Sequence, residues 1–128
     1  MQPTTTCDGL IVFAHGSRLP EANEAVESVA REAAPRAGFK LWRAAFLELA
    51  QPDLTTATRQ LAEAGARRVF VTPYFLVMGV HLQQDLPRLL EAAGQAVSGV
   101  ELISTEPLGG HPALADIVVE RARKAAGP

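Results

Sequence analysis

Gly9-Leu10-Ile11-Val12-Phe13-Ala14-His15-Gly16 is a short apolar run closed at each end by glycine. A continuous run of this length, without polar alternation, reads as a strand buried on both faces. The period then changes. After the turn-like Gly16-Ser17-Arg18-Leu19-Pro20, the residues Ala22, Ala25, Val26, Val29, Ala30 and Ala33 recur at helical spacing. They predict a helix over Glu21 to Ala34, stopped by Pro35 and Gly38.

The same alternation continues along the chain. Leu41 to Leu47 reads as a second strand. Pro52-Asp53 opens a helix with Asp53 as N-cap, Leu54, Ala57, Leu61 and Ala64 on one face, and Gly65 at its end. Val69 to Thr72 is a third strand, closed near Pro73, which has no N–H to give a ladder. The apolar segment Tyr74 to His81, broken by Gly79, leads into a helix over Leu82 to Ala93. Val97 to Ile103 reads as a fourth strand. Pro107-Leu108-Gly109-Gly110 is loop, and His111-Pro112 starts a last helix with Leu114, Ile117, Val118, Ala122 and Ala125 facing inward.

Strands with continuous apolar character alternating with amphipathic helices predict an α/β fold with a parallel sheet and helices on both faces. Fold rules favour a four-stranded, flavodoxin-like order 2-1-3-4. The chain has 128 residues, enough for one domain with a real core. That domain is expected over residues 9–126, after a flexible segment from Met1 to Asp8 that lacks the basic start and apolar core of an export signal.

Composition narrows the function classes. Net charge is −2, which argues against a nucleic-acid partner. No apolar run reaches the roughly 20 residues that cross a bilayer. One cysteine, Cys7, rules out an internal disulfide or a cysteine cage, and a cytoplasmic location is expected. No Gly-x-Gly-x-x-Gly or Walker-type loop follows any strand, so no nucleotide is expected.

In such sheets ligands sit beyond the carboxyl ends of the strands, where the winding direction reverses. For order 2-1-3-4 that point lies between strands one and three. His15 directly follows strand one, and His81 follows strand three, just before its helix. Imidazole suits cobalt, nickel and iron, and it exchanges protons near neutral pH. Glu48, after the second strand, is on the same rim as a third ligand, a base or a solvated carboxylate.

His15-Gly16-Ser17-Arg18, Glu48 with Pro52, Pro73-Tyr74-Phe75-Leu76 running into Gly79, His81, Asp85 and Pro87, and Pro107-Leu108-Gly109 with His111-Pro112 together resemble the small class II chelatases of the CbiX type. The resemblance covers nearly the whole chain. It implies a lyase that inserts a divalent metal into sirohydrochlorin without ATP, in cobalamin or siroheme-type tetrapyrrole biosynthesis. Cobalt comes first, with ferrous iron or nickel as alternatives. His15 and His81 match the family's metal-site histidines, and Glu48 matches an acidic position of its pattern. Short members are expected to pair as homodimers.

On this reading His15, His81 and Glu48 are the catalytic residues, and both histidines hold the incoming metal. Ser17, Arg18, backbone N–H groups at the start of the first helix and Arg88 would hold the substrate's carboxylates. Leu76, Val77 and Met78 would pack on the macrocycle. His111 reads as a helix cap, Asp85 as a charge in the first turn of its helix, and Trp42 as buried strand packing. Two other functions compete. A histidine-phosphatase-like hydrolase also places His-Gly after its first strand but needs arginine before it, where this chain has Ala14. A non-catalytic metal-binding protein would need no tetrapyrrole.

Overall fold

The computed structural model describes residues 7–128; Met1 to Thr6 of the expected leader lie outside the described residues. The elements are β1 (Asp8–Ala14), α1 (Pro20–Arg36), β2 (Leu41–Phe46), α2 (Leu54–Glu63), β3 (Arg68–Pro73), α3 (Val80–Ala96), β4 (Glu101–Ser104) and α4 (Ala113–Ala126). The strands form one parallel sheet in the expected order β2-β1-β3-β4.

β1 is buried along its whole length, as its unbroken apolar sequence requires. Successive side chains of a strand point to opposite faces, so β1 feeds two cores. Ile11 and Phe13 join Val69 and Val71 of β3, Leu54, Ala57 and Leu61 of α2, and Leu86 and Ala93 of α3. Leu10, Val12 and Ala14 join Ala44 and Phe46 of β2 and Val26, Ala30 and Ala34 of α1. The two layers thus differ, with α1 on one side and α2 and α3 on the other. Asp8, expected in the leader, is the first residue of β1. It is 4% exposed and accepts two hydrogen bonds from Arg68, at 3.0 and 2.7 Å.

Several boundaries differ from the sequence reading. α1 runs through Pro35 to Arg36. A proline in the last turn removes only one donor, and the Arg31 carbonyl it leaves lies on an exposed turn. α3 begins at Val80, two residues early, and continues past Pro87 to Ala96. Val97 is buried at the end of α3 and does not start a strand; β4 begins only at Glu101, after Gly99 turns the chain with φ +80°. α2 is capped as expected: the Thr56 N–H donates to Asp53 Oδ1 at 2.8 Å, and Gly65 follows with φ +114°.

The largest departure is α4. Its Leu114, Ile117, Val118, Ala122 and Ala125 were expected to face inward, yet the helix buries no residue, and Val118 is 67% exposed. Its apolar residues recur at helical spacing, and no element of the described residues buries them. Among the described residues no helix is long and apolar enough to cross a membrane.

Candidate functional site

The sheet order puts the reversal point between β1 and β3, and the candidate residues rise around it. β1 ends at Ala14, so His15 stands at the first position beyond the strand. It is exposed. The β2 loop is tied to it by backbone bonds: the Leu47 N–H donates to the Ala14 carbonyl at 2.9 Å and the Glu48 N–H to the His15 carbonyl at 3.0 Å. Glu48 Oε1 then lies 3.5 Å from His15 Nε2.

Gly16 makes this approach possible. Its φ is +95°, and a Cβ there would overlap the Glu48 carbonyl oxygen. Only glycine has both the backbone freedom and the missing atom. Leu49, next to Glu48, is exposed and holds φ +66°. A branched aliphatic residue pays about 1 kcal/mol or more for that conformation, so the loop carrying Glu48 is held in a defined shape by its ties to β1.

The turn after Gly16 is built by a residue the sequence reading passed over. Asn23, one turn into α1, accepts the Ser17 N–H at 2.9 Å and donates its Nδ2 to the Ser17 carbonyl at 2.8 Å. Ser17 Oγ accepts the Leu19 N–H at 3.0 Å. The Ser17 N–H is therefore taken up within the chain, and Pro20 has none to offer. Arg18 is exposed and borders a hollow of about 380 Å³ with Asn23, Glu24 and Leu49; it is the cation of that hollow. Asn23 carried no sequence signal, because it works through main-chain bonds six residues away.

His81 is the second residue of α3 and exposed; it does not precede the helix as expected. It follows β3, the neighbour of β1, and so stands on the same carboxyl rim as His15. The structure joins His15 to Glu48 but does not bring His81 into that pair: among the described residues no three His, Cys, Asp or Glu side chains gather as a metal cluster.

The segment before α3 divides. Leu76 and Val77 are 63% and 83% exposed, whereas Met78 is half-buried and packs against the α2–α3 core with Phe75. Gln83 Nε2 donates to the Met78 carbonyl at 2.9 Å and holds the bend. Leu19, Leu49 and Val80 are also exposed. With Leu76 and Val77 they are exposed apolar residues on the segments that follow β1, β2 and β3, which loop composition had not suggested. Arg88 is exposed two turns beyond His81, with Nη1 4.0 Å from Asp85 Oδ1; Asp85 falls in the second turn of the lengthened α3. His111 Nδ1 accepts the Ala113 N–H at 3.0 Å, the capping role expected of it. Trp42 is half-buried beneath Arg31, whose guanidinium carbon is 5.8 Å from the ring centre.

Comparison with known proteins follows the same line. The family model described as CbiX matches residues 9–125. The chain is similar to a chloroplastic sirohydrochlorin ferrochelatase of Arabidopsis thaliana, 37% identical over 114 residues, covering 89% of this chain and 51% of that protein. It is similar to a sirohydrochlorin cobaltochelatase of Methanopyrus kandleri, 29% identical, covering 92% of this chain and 96% of that protein. The crystal structure of a putative cobalamin biosynthesis CbiX protein from Marinobacter aquaeolei superposes with a TM-score of 0.81 at 28% identity, over 93% of this chain and 97% of that one. The chain thus spans about half the length of the plant relative and nearly all of the other two.

Proposed function

The chain belongs to the CbiX family, and from that premise we propose that it is a sirohydrochlorin metal chelatase, a lyase that places a divalent metal in the ring without a nucleotide. The observation that carries the reading is positional. Of the chain's three histidines, His15 stands directly after β1 and His81 in the first turn of α3, which follows β3, and β1 and β3 are the adjacent strands at which the winding reverses; His15 already has a carboxylate beside it.

The metal is a substrate here. His15 and His81 offer nitrogen ligands from the two sides of the rim and hold it loosely enough to release it. The ring lies against Leu76 and Val77, with Leu19, Leu49 and Val80 around it, and its carboxylates meet Arg18 and Arg88. Ser17 has its hydroxyl hydrogen left to donate. Insertion exchanges one metal ion for two pyrrole N–H protons. Glu48, 3.5 Å from His15 Nε2, takes the two protons one after the other as general base and passes each to solvent, and His15 is free to relay them once the metal has left it for the ring. Positioning and removal of metal-bound water supply the rest. Cobalt is the metal to test first, then ferrous iron and nickel. The working unit is a homodimer in the cytoplasm.

Insertion followed by absorbance, with each metal in turn, tests the reading. His15→Ala and His81→Ala are each expected to lower the rate about 10- to 100-fold with the fold intact. Near-normal rates in both variants would remove the assigned roles.

A further inference from the structure

Two adjacent glycines lie in the connection from β4 to α4, and they are glycine for different reasons. The His111 N–H donates to the Leu108 carbonyl at 3.1 Å, which closes a four-residue turn over Leu108, Gly109, Gly110 and His111. Gly110, at the third place, has φ +84°, and a Cβ added there would meet nothing within 4 Å. The turn by itself explains it. Gly109 is not in the left-handed region. A Cβ there would stand 2.0 Å from the Leu76 carbonyl oxygen and 2.9 Å from the carbonyl carbon. What Gly109 supplies is a missing atom, at the place where this turn touches the segment between β3 and α3.

That segment carries four apolar residues with opposite surroundings. Phe75 is half-buried, edge-on to Phe13 with ring centres 6.4 Å apart, and Met78 packs on the same core. Between these two anchors Leu76 and Val77 stand in solvent. Apolar side chains in water are unfavourable, so a slack loop gains by turning them inward. The backbone prevents it. The Phe75 carbonyl accepts the Gly109 N–H at 3.1 Å, and the Leu76 carbonyl lies against the bare Cα of Gly109. At the other end the Met78 carbonyl accepts Gln83 Nε2 at 2.9 Å. The Gln83 N–H donates to the Gly79 carbonyl at 3.0 Å, which fixes the root of that side chain in the first turn of α3.

The rim of the sheet thus uses one device twice. On the β1–β2 side Gly16 clears the Glu48 carbonyl, and on the β3–β4 side Gly109 clears the Leu76 carbonyl. The first serves the residues assigned to proton transfer, the second those assigned to the ring. The ties of His15 and Glu48 run to each other and along β1 and β2. His81 rides on α3, which is anchored in the core by Leu86 and Ala93. Loosening the segment from Leu76 to Val77 therefore leaves the reacting groups where they are.

We propose that Gly109 and Gln83 are positioning residues for the flat substrate: together they hold Leu76 and Val77 outward, in the arrangement the ring meets. Side chains already ordered before binding cost less to engage than side chains that must be ordered by it. The effect falls on ring binding and spares the chemical step. This inference rests on the chelatase reading and adds to it two residues that touch neither metal nor ring.

The test is steady-state cobalt insertion into sirohydrochlorin with the full chain, followed by absorbance. Gly109→Ala should raise KM for the ring about 5- to 30-fold, the equivalent of leaving two side chains to be ordered at binding, with kcat within about twofold of the parent. Gln83→Ala, at an exposed helical position, should move KM the same way by a smaller factor; it carries the test if Gly109→Ala does not fold. Gly110→Ala is the control for the turn. It should lower the unfolding midpoint through its left-handed backbone and leave KM unchanged. In a chain with Leu76→Ala and Val77→Ala, adding Gly109→Ala should change KM less than about twofold, because the side chains it positions are gone. An unchanged KM in Gly109→Ala and Gln83→Ala, a loss confined to kcat, or an undiminished effect of Gly109→Ala in the Leu76→Ala, Val77→Ala chain would each overturn the inference while an active parent keeps the chelatase reading. A parent that inserts no metal would overturn both.

Discussion

At the scale of single residues, the His15–Glu48 pair is a product of backbone geometry. Two main-chain bonds and one missing Cβ bring the carboxylate to the imidazole. Gly16→Ala should therefore cost more than a surface substitution does: about 1–3 kcal/mol from the left-handed conformation and the displaced carbonyl. Denaturant unfolding should show a lower midpoint with an unchanged slope, and the insertion rate should fall because Glu48 is moved. Glu48→Gln separates the roles. It keeps the loop and removes the charge, so it should lower the rate about tenfold while leaving the unfolding midpoint within about 0.5 kcal/mol of the parent. That His15 and His81 stand at the carboxyl rim was legible in the sequence because strand ends in a 2-1-3-4 sheet are predictable, although His81 lies in α3 and not before it. Asn23 and the exposed apolar residues Leu19, Leu49 and Val80 were not, because their roles depend on where loops meet in space.

At the scale of elements, helix starts carried clearer signals than strand ends. Asp53 was readable as a cap from its place before Leu54, and its carboxylate does accept the Thr56 N–H. That hydrogen bond holds the Asp53 carboxyl below the usual carboxylate range. The stabilisation is present above the unfolded value, near pH 4, and is lost as pH falls through the lower folded value. Asp53→Ala should cost about 1 kcal/mol at pH 7, and the gap between parent and variant should close on acidification below about pH 4; melting curves across pH 2–7 on the order of one-unit steps check it. Strand four was misplaced because Val97 is as apolar as a strand residue but is buried as the end of α3. Local pattern registers burial and does not distinguish the element that supplies it.

At the scale of the whole molecule, the order of the sheet was legible because right-handed crossovers and short connections leave few arrangements. The position of α4 was not, since an amphipathic stripe marks the face a helix could bury without stating what lies against it. The ends of the sheet hold a second pH-dependent feature. Hydrogen bonds from Arg68 hold the buried Asp8 carboxyl below its ordinary range. Its contribution is likewise present above about pH 4 and lost as the carboxyl protonates below that. Asp8→Asn should lower the melting temperature by a few degrees at neutral pH, with the difference disappearing in acid; calorimetry at both pH values decides it.

The pairing of β1 has a consequence for how the protein is made. β1 lies between β2 and β3, and its Asp8 is closed by an arginine 60 positions later. While the ribosome has delivered only β1, α1 and β2, one edge of the most apolar strand is open and its first carboxylate has no cation. The nascent chain is thus most prone to clumping until Arg68 to Pro73 leaves the exit tunnel, and a stop codon between β2 and β3 should yield a product found in inclusion bodies.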